Sequence, residues 1–345
     1  MLASLTSLDI ALTEGHPLWT DRLPEISNEK TPTEATFAMW TTRLLDSSAI
    51  TGIYVKRGNV ATNIDEEKRS WAQSCLGQIG ARSVTEPLYA MAHINLSEAD
   101  PVEPLIHWTI EKPSQLQHPS LGVEVMVTPT GGFTDIHADS TTVGRAVCVD
   151  RCEKFWLLWP PSLHNLRLWA ANRGLNTGLL RYGAQLEGGL VVHTAGNGQF
   201  NALTMPAGTL HSVFTITGGF LSGINYTTAE DIQLAGMMLE LQVQRSQDED
   251  QILDDCEWFI GTAREILLSR PDFSIHCLTS MARLVAKIEN LKKKEHRAWK
   301  PFHMAAAKLF HNFRKTTPIC PCGKVLPPKC DSHFVEDPHI PAPGM

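Results

Sequence analysis

LGVEVMVTPTGGFTDIHADS, residues 121–140, sets strand-length apolar runs around a Pro129, Gly131, Gly132 turn signal and ends on a histidine and an aspartate two positions apart. The same texture continues downstream. GRAVCVD (144–150), KFWLLWPP (154–161), GGLVVHTAGNG (188–198), QFNALTMPAG (199–208), LHSVFTITGG (210–219) and FLSGINYTT (220–228) are short runs rich in β-branched and aromatic residues, separated by Gly, Pro and Asn. Such spacing predicts an antiparallel sandwich or barrel over 121–228.

Outside that block the pattern changes. Residues 1–120 mix helical spacing (TEATFAMWTTRLLDS, DEEKRSWAQSCLGQI) with apolar runs (ITGIYVKR, LYAMAHINL) and read as α/β elements packing on the core. After Thr228 apolar residues recur at three- and four-residue steps, predicting a helical region over 229–315. The tail, 316–345, is rich in Pro and Gly and has too few apolar residues for a core of its own, so it is either disordered or folded around a metal. The whole is of α+β class.

With 345 residues, 43% of them apolar, one sizeable core and an appended smaller unit are within reach. The first residues lack a basic segment and carry Asp9 and Glu14, and no run of 18 apolar residues occurs, so neither a secretory signal nor a membrane span is expected. An intracellular protein is expected. Eight cysteines are too few and too uneven for a disulfide framework, so Cys75, Cys148, Cys152, Cys256 and Cys277 are expected to be reduced core thiols. The net charge of −7 hides an asymmetry: residues 283–315 hold ten Lys or Arg against Glu289 and Glu295, a net +8. Aromatic and apolar residues interrupt this stretch (Trp299, Phe302, Met304, Leu309, Phe310, Phe313), which fits either a solvated helix whose apolar side packs on the domain or a contact for DNA or a nucleosome.

The chemistry concentrates in three places. His137 and Asp139 sit two apart on an expected strand, so both side chains leave one face. His211 follows in MPAGTLHSV, a Pro-Gly turn entering another strand. Two histidines and a carboxylate on one face of an octahedron leave three sites open, the arrangement of non-haem Fe(II) oxygenases. The short His-x-Asp pattern carries little alone, since roughly 0.65 matches are expected by chance in a chain of this composition. Context raises it, above all Lys154, a lysine within an aromatic strand. It is either an edge-strand lysine that discourages aggregation or the partner of a bound anion such as the distal carboxylate of 2-oxoglutarate.

These residues resemble the JmjC family of Fe(II)- and 2-oxoglutarate-dependent dioxygenases, particularly its plant-homeodomain-linked histone lysine demethylase branch, over roughly residues 80–228. The pattern Thr-Asp-x-His-x-Asp stands as Thr134 to Asp139, the lysine strand ending in Pro as Cys152 to Pro160, the Pro-x-Gly-x-x-His turn as Pro206 to His211, and the Gly-x-Asn-aromatic strand as Gly223 to Tyr226. The resemblance implies a double-stranded β-helix of jelly-roll or cupin type. His137, Asp139 and His211 would be the catalytic iron ligands, and Lys154 and Thr134 would hold the cosubstrate, with Asn225 at its metal-proximal end. Taken alone, Thr134 reads equally as an ordinary strand threonine and Asn225 as a core amide. Where the branch places a tyrosine, counting ten residues from His137 reaches Val147, and its tryptophan before the second histidine is Thr209. The expected activity is demethylation of lysine in a histone tail or another protein. Hydroxylation of a protein or small molecule on the same site, and a non-catalytic chromatin-binding role, are the alternatives.

A second metal site is expected in the tail, where Cys320, Cys322, Cys330, His333 and His339 offer five zinc-type ligands. Cys320 and Cys322 pair either with His333 and His339 or with Cys330 and His333.

Overall fold

The computed structural model describes residues 24–29, 50–55, 70, 90–95, 115–117, 124–139, 143–149, 151–172, 177–196, 200–245, 249–290, 299–320, 324–327 and 331–336. The helical patterns expected in TEATFAMWTTRLLDS and, apart from Ser70, in DEEKRSWAQSCLGQI lie outside these residues, as do Cys75, Cys322, Cys330 and His339.

Strands β1 (Glu25–Glu29), β2 (Ile50–Val55), β3 (Ala90–Asn95) and β4 (Gln115–Gln117) come from the N-terminal third. Eight more follow: β5 (Glu124–Thr128), β6 (Phe133–His137), β7 (Val143–Val149), β8 (Glu153–Trp159), β9 (Leu190–Ala195), β10 (Phe200–Met205), β11 (Leu210–Thr217) and β12 (Gly219–Thr228). They form two sheets in which every pairing is antiparallel. The larger runs β1-β10-β7-β12-β5-β3-β2, with β4 also paired to β12, and the smaller runs β6-β11-β8-β9. The four N-terminal strands therefore extend the same large sheet that the 121–228 block begins.

Alternation makes the two sheets face one another. In β8, Lys154, Trp156 and Leu158 are buried while Glu153, Phe155 and Leu157 are half-buried, the period-two pattern of a strand with one inner face. Trp156, Leu158, Val192 and Val213 of the small sheet meet Ala146, Cys148, Leu203, Met205 and Leu221 of the large one in one apolar cluster. The architecture is α+β with stacked antiparallel sheets, consistent with a jelly-roll core.

The strand pattern skips residues 162–187, where the structure places two helices, α1 (Leu163–Asn172) and α2 (Gly178–Tyr182). Ser162 begins α1 by accepting the Asn165 N–H at 3.2 Å, an N-cap bond immediately after Pro160 and Pro161. Leu166, Trp169 and Ala170, at helical spacing, turn inward onto Ile136, Trp159 and Leu210. Asn165 is fully buried and ties the returning chain, donating to the carbonyls of Pro160 (3.0 Å) and Glu187 (2.9 Å) and accepting the Glu187 N–H (2.9 Å). The outer side of β6, the strand carrying His137, is thereby backed by a helical layer.

After β12 the chain is helical: α3 (Ile232–Arg245), α4 (Glu249–Ser269), α5 (Ser274–Asn290), α6 (Lys300–Thr316) and α7 (Asp331–Glu336). Phe259, Leu278, Met281, Leu284 and Phe302 centre a second apolar cluster, separate from that between the sheets. Met238 on α3 reaches the cluster around Leu210, so the helical layer is anchored beside the sheet end that holds His211. In α6, Phe302, Ala306, Leu309 and Phe310 are buried, as the apolar spacing predicts, whereas Met304 is 62% exposed and does not belong to that face. The described part of the tail is not disordered: Phe334 on α7 stacks on Phe310 at 6.0 Å and is fully buried, and Cys320 and Leu326 join the same cluster. One aromatic anchor and an antiparallel bridge between Ile319 and Val325, beside which Cys320 N–H donates to the Lys324 carbonyl at 2.8 Å, compensate for the shortage of apolar residues.

Cys148, Cys152, Cys256 and Cys277 are buried free thiols, and Cys320 is buried. Among the described residues, no helix is long and apolar enough to cross a membrane.

Candidate metal and anion site

His137 ends β6 and His211 stands near the start of β11, and the two are register partners across that pair of strands. Between them and the next pair, Thr134 with Val213, the register shifts: Ser212 alone faces Asp135 and Ile136. This bulge changes the parity of β6, so Thr134 and His137, three apart, both face the space between the sheets. Ser212 donates its hydroxyl to the Thr134 carbonyl at 2.8 Å across the irregularity.

Asp135, on the other side of the bulge, anchors α2. Its carboxylate accepts the N–H groups of Gly178 (2.6 Å), Leu179 (2.8 Å) and Ile136 (2.9 Å), satisfying backbone donors at the start of the helix. Its carbonyl accepts Nδ1–H of His137 at 2.8 Å. The Thr209 carbonyl does the same for Nδ1 of His211 at 3.1 Å. With Nδ1 engaged in each ring, Nε2 is left as the free lone pair, the outer-shell arrangement that orients histidine ligands. The turn before His211 is set by Gly208 at φ 72° and by the Thr209 hydroxyl, which donates to the Pro206 carbonyl at 2.7 Å.

Both Nε2 atoms point to one carboxylate. His137 Nε2 lies 3.5 Å from Asp139 Oδ1 and His211 Nε2 3.6 Å from Asp139 Oδ2. The three donors all fall within 4.8 Å of one another, and among the described residues no other group of three or more His, Cys, Asp or Glu does so. Cis ligands of a six-coordinate ion bonded at about 2.1 Å stand about 3 Å apart, so these spacings suit one small cation after slight contraction. The electrostatics agree. Burial would lower the His137 pKa, but the hydrogen bond and charge of Asp139, with the Asp135 carbonyl, leave it raised above the ordinary value. Burial, with the charge of His137, drives His211 down to about 4, so that ring is a neutral ligand at physiological pH.

Asn225 on β12 is the register partner of Gly144 on β7. A Cβ added at Gly144 would stand 3.3 Å from Asn225 Oδ1 and 3.5 Å from Asp139 Oδ2, which places the amide beside the triad.

Lys154 lies between β11 and β9, and so is not an edge-strand lysine. It is 2% exposed, and its ammonium donates to Thr215 Oγ1 at 2.9 Å and Thr128 Oγ1 at 3.2 Å. Among the described residues no carboxylate pairs with it. A buried ammonium held by two neutral hydroxyls is incompletely compensated, and an anion completes it.

Two substitutions noted in the sequence find their places. Ala146 and Cys148 of β7 join the cluster between the sheets, so Val147, fully buried between them in sequence, faces the opposite side and does not line the site. Thr209 holds the turn and the His211 ring as described above. Thr128 and Thr215 escaped motif reading. Thr215 carried a signal, since it stands four residues after His211 and shares its strand face. Of the five tail ligands, Cys320 and His333 are described, and both are buried.

No family model matches the chain. It is similar to the JmjC domain-containing histone demethylation protein 1 of Kluyveromyces lactis, at 26% identity over 160 residues, covering 43% of this chain and 32% of that protein. The chain thus spans about a third of the length of the curated relative it matches. This likeness supports the JmjC resemblance carried by the four motifs.

Proposed function

We propose that the chain is a JmjC-type Fe(II)- and 2-oxoglutarate-dependent dioxygenase with a double-stranded β-helix core, acting on N-methylated lysine in histone tails. One observation carries the reading: Nε2 of His137, Nε2 of His211 and the Asp139 carboxylate converge within 4.8 Å on the same interior face as the buried Lys154, whose ammonium no carboxylate among the described residues pairs. The donor set is of the kind that suits iron, and the name of the Kluyveromyces relative points to histone demethylation.

In this reading His137, Asp139 and His211 hold iron, Lys154 pairs with the distal carboxylate of 2-oxoglutarate, Thr134 contacts the same cosubstrate and Asn225 its metal-proximal end. The bound iron and cosubstrate supply dioxygen activation with loss of CO2, and so oxidation of a C–H bond held nearby. The chain's part is positional. Asp135 and Thr209 fix the two imidazoles by Nδ1, the stacked sheets exclude water around Lys154, and the helical layer α1–α2 backs the strand bearing His137. Hydroxylation of an N-methyl group yields a hemiaminal that loses formaldehyde, so hydroxylation and demethylation share one site. Membership of the plant-homeodomain-linked branch is part of the same proposal and rests on the motifs.

Formaldehyde release from methylated histone peptides, with Fe(II), 2-oxoglutarate and oxygen, tests this function. Formaldehyde formed in step with succinate is the expected result. Succinate with hydroxylated peptide and no formaldehyde would identify a hydroxylase, and neither product would leave a non-catalytic binding protein.

The partner proposed for residues 283–315 is DNA or a nucleosome, which fits a nuclear protein. Arg283, Lys300, Lys308 and Lys315 are exposed, and α6 has no acidic residue. Zinc is proposed for the tail, with Cys320, Cys322 and His333 as ligands and either Cys330 or His339 as the fourth; Cys322, Cys330 and His339 lie outside the described residues. Purified protein should carry one equivalent of zinc, retained after iron is stripped, and Cys322→Ser should lose it. A metal-free tail that keeps Phe334 buried would end that idea.

A further inference from the structure

Cys148 is the last residue but one of β7, in the large sheet, and Cys152 immediately precedes β8, in the small one. Cys152 N–H donates to the Val149 carbonyl at 3.1 Å, and both side chains enter the apolar cluster between the sheets. Gly219 permits their approach. Cys148 is the register partner of Leu221, and a Cβ added at Gly219, two residues back on the same face of β12, would stand 2.8 Å from Cys152 Cβ. Both cysteines are free and fully buried, and their thiols share a hydrogen bond.

A line of donors ends on this pair. The Trp156 indole is a donor only, so its Nε1–H, 2.8 Å from Thr194 Oγ1, donates to that hydroxyl. The hydroxyl proton is left for Cys148 Sγ, 3.1 Å away, and Cys148 in turn donates to Cys152. That last hydrogen bond, with the positive charge of Lys154 two residues on, holds the Cys152 thiol below its ordinary range despite burial. Burial keeps Cys148 well above that range. The two thiols therefore differ in role: Cys152 supplies the thiolate and Cys148 the proton. At Cys256 and Cys277, in the helical core, burial pushes the thiol up, and those two are inert.

We propose that Cys148 and Cys152 are a redox-active thiol pair, a modification site that hydrogen peroxide closes to a disulfide and a dithiol reopens. Both sulfurs are closed to a bulky oxidant, whereas peroxide, little larger than water, enters with the local openings of a folded chain. The Cys152 thiolate attacks one peroxide oxygen: the O–O bond breaks, the S–O bond of a sulfenic acid forms, and hydroxide leaves with the proton of Cys148 as water. Cys148 sulfur then attacks Cys152 Sγ, so that the S–S bond forms and the S–O bond breaks. The departing hydroxide takes up the proton that Cys152 had released. Two thiols lose two electrons and peroxide becomes two waters. The link fastens the end of β7 to the start of β8 and lies one hydroxyl from Trp156, whose ring is 6.1 Å from that of His211. Iron and 2-oxoglutarate take no part in any step, so the inference stands apart from the proposed function.

The test is peptide mapping of the full chain, stripped of iron, exposed to hydrogen peroxide and then denatured in an alkylating agent before digestion. Arg151 separates the two cysteines, so trypsin releases AVCVDR (146–151) and CEK (152–154) as different peptides. In the treated protein the two are joined as one species that dithiothreitol splits. The link forms at least about tenfold faster than any oxidation at Cys256 or Cys277, a margin set by the difference in thiolate fraction. Cys148→Ser removes the resolving thiol, and CEK then carries a sulfenic or sulfinic acid. Cys152→Ser leaves AVCVDR unoxidised at the same exposure. The inference is overturned if the two peptides of the unaltered protein stay separate, whether unreacted or singly oxidised, or if Cys148 is oxidised as fast in Cys152→Ser as before. Should either serine variant fail to fold, the joined peptides of the unaltered protein decide alone.

Discussion

His137→Ala is expected to reduce affinity for Fe(II), or for Mn(II) as its stand-in, by at least about 100-fold, since even outer-shell changes at metal sites cost 10- to 100-fold and this one deletes a ligand. The remaining pair, His211 and Asp139, 3.6 Å apart, no longer closes one face of an octahedron. Folding should be little affected. The His137 side chain is 36% exposed, and its hydrogen bond to the Asp135 carbonyl is a local contact two residues away, so the loss of stability stays within about 1 kcal/mol. Denaturant unfolding of the metal-free variant beside metal titration separates the two effects. A variant that binds metal normally would remove His137 from the site.

Lys154→Met gives the second large effect, with opposite signs for binding and stability. Removing the ammonium leaves the distal carboxylate of 2-oxoglutarate buried against neutral groups, a penalty of about 3–5 kcal/mol and so a loss of at least about 100-fold in affinity. The metal-free, cosubstrate-free protein should hold its stability or gain about 1 kcal/mol. A buried charge without an anion is costly, and Met fills a comparable volume on a strand whose inner neighbours, Trp156 and Leu158, are apolar. The two freed hydroxyls of Thr128 and Thr215 limit that gain. A strongly destabilised Lys154→Met protein would mean that the lysine is a structural strut rather than the partner of a bound anion.

Much of this architecture was legible in the chain because strands with one buried face write a period of two into the sequence. KFWLLWPP and LHSVFTITGG became β8 and β11, and the Pro-Gly turn before His211 announced the strand entrance. What escaped notice was non-local. The bulge at Ser212 opposite Asp135 and Ile136 depends on pairing with a partner strand, and no single-strand pattern encodes it. Counting ten residues from His137 to Val147 failed for a related reason. Parity decides which face a strand residue takes, and Val147 falls between the inward-facing Ala146 and Cys148. The helices over 163–182 sit inside a run of strands, and their apolar residues cover the sheet's outer side rather than its core. In the tail, composition suggested disorder or metal, and no pattern in it showed that Phe334 of α7 would pack into the helical core beside Cys320 and Leu326.

The site was partly visible and partly not. The triad and Lys154 stood out because a histidine, a carboxylate and a lysine are unusual residues for the inner face of an apolar sandwich. Thr128 and Thr215 were hidden because threonine is an ordinary strand residue, and only the distances to Lys154 Nζ separate them from the rest. Asp135 looked like one more letter of a motif. Its three backbone contacts and its carbonyl's hold on His137 make it the link between the α2 helix and the metal site.

The central claim, that one site takes both iron and 2-oxoglutarate, is tested most directly by titrating the metal-free protein anaerobically with Fe(II) and then 2-oxoglutarate while recording the visible spectrum. A charge-transfer band that saturates at one equivalent of each, and is absent in His137→Ala, is the predicted result. No band in the unaltered protein at saturating concentrations of both would contradict the account.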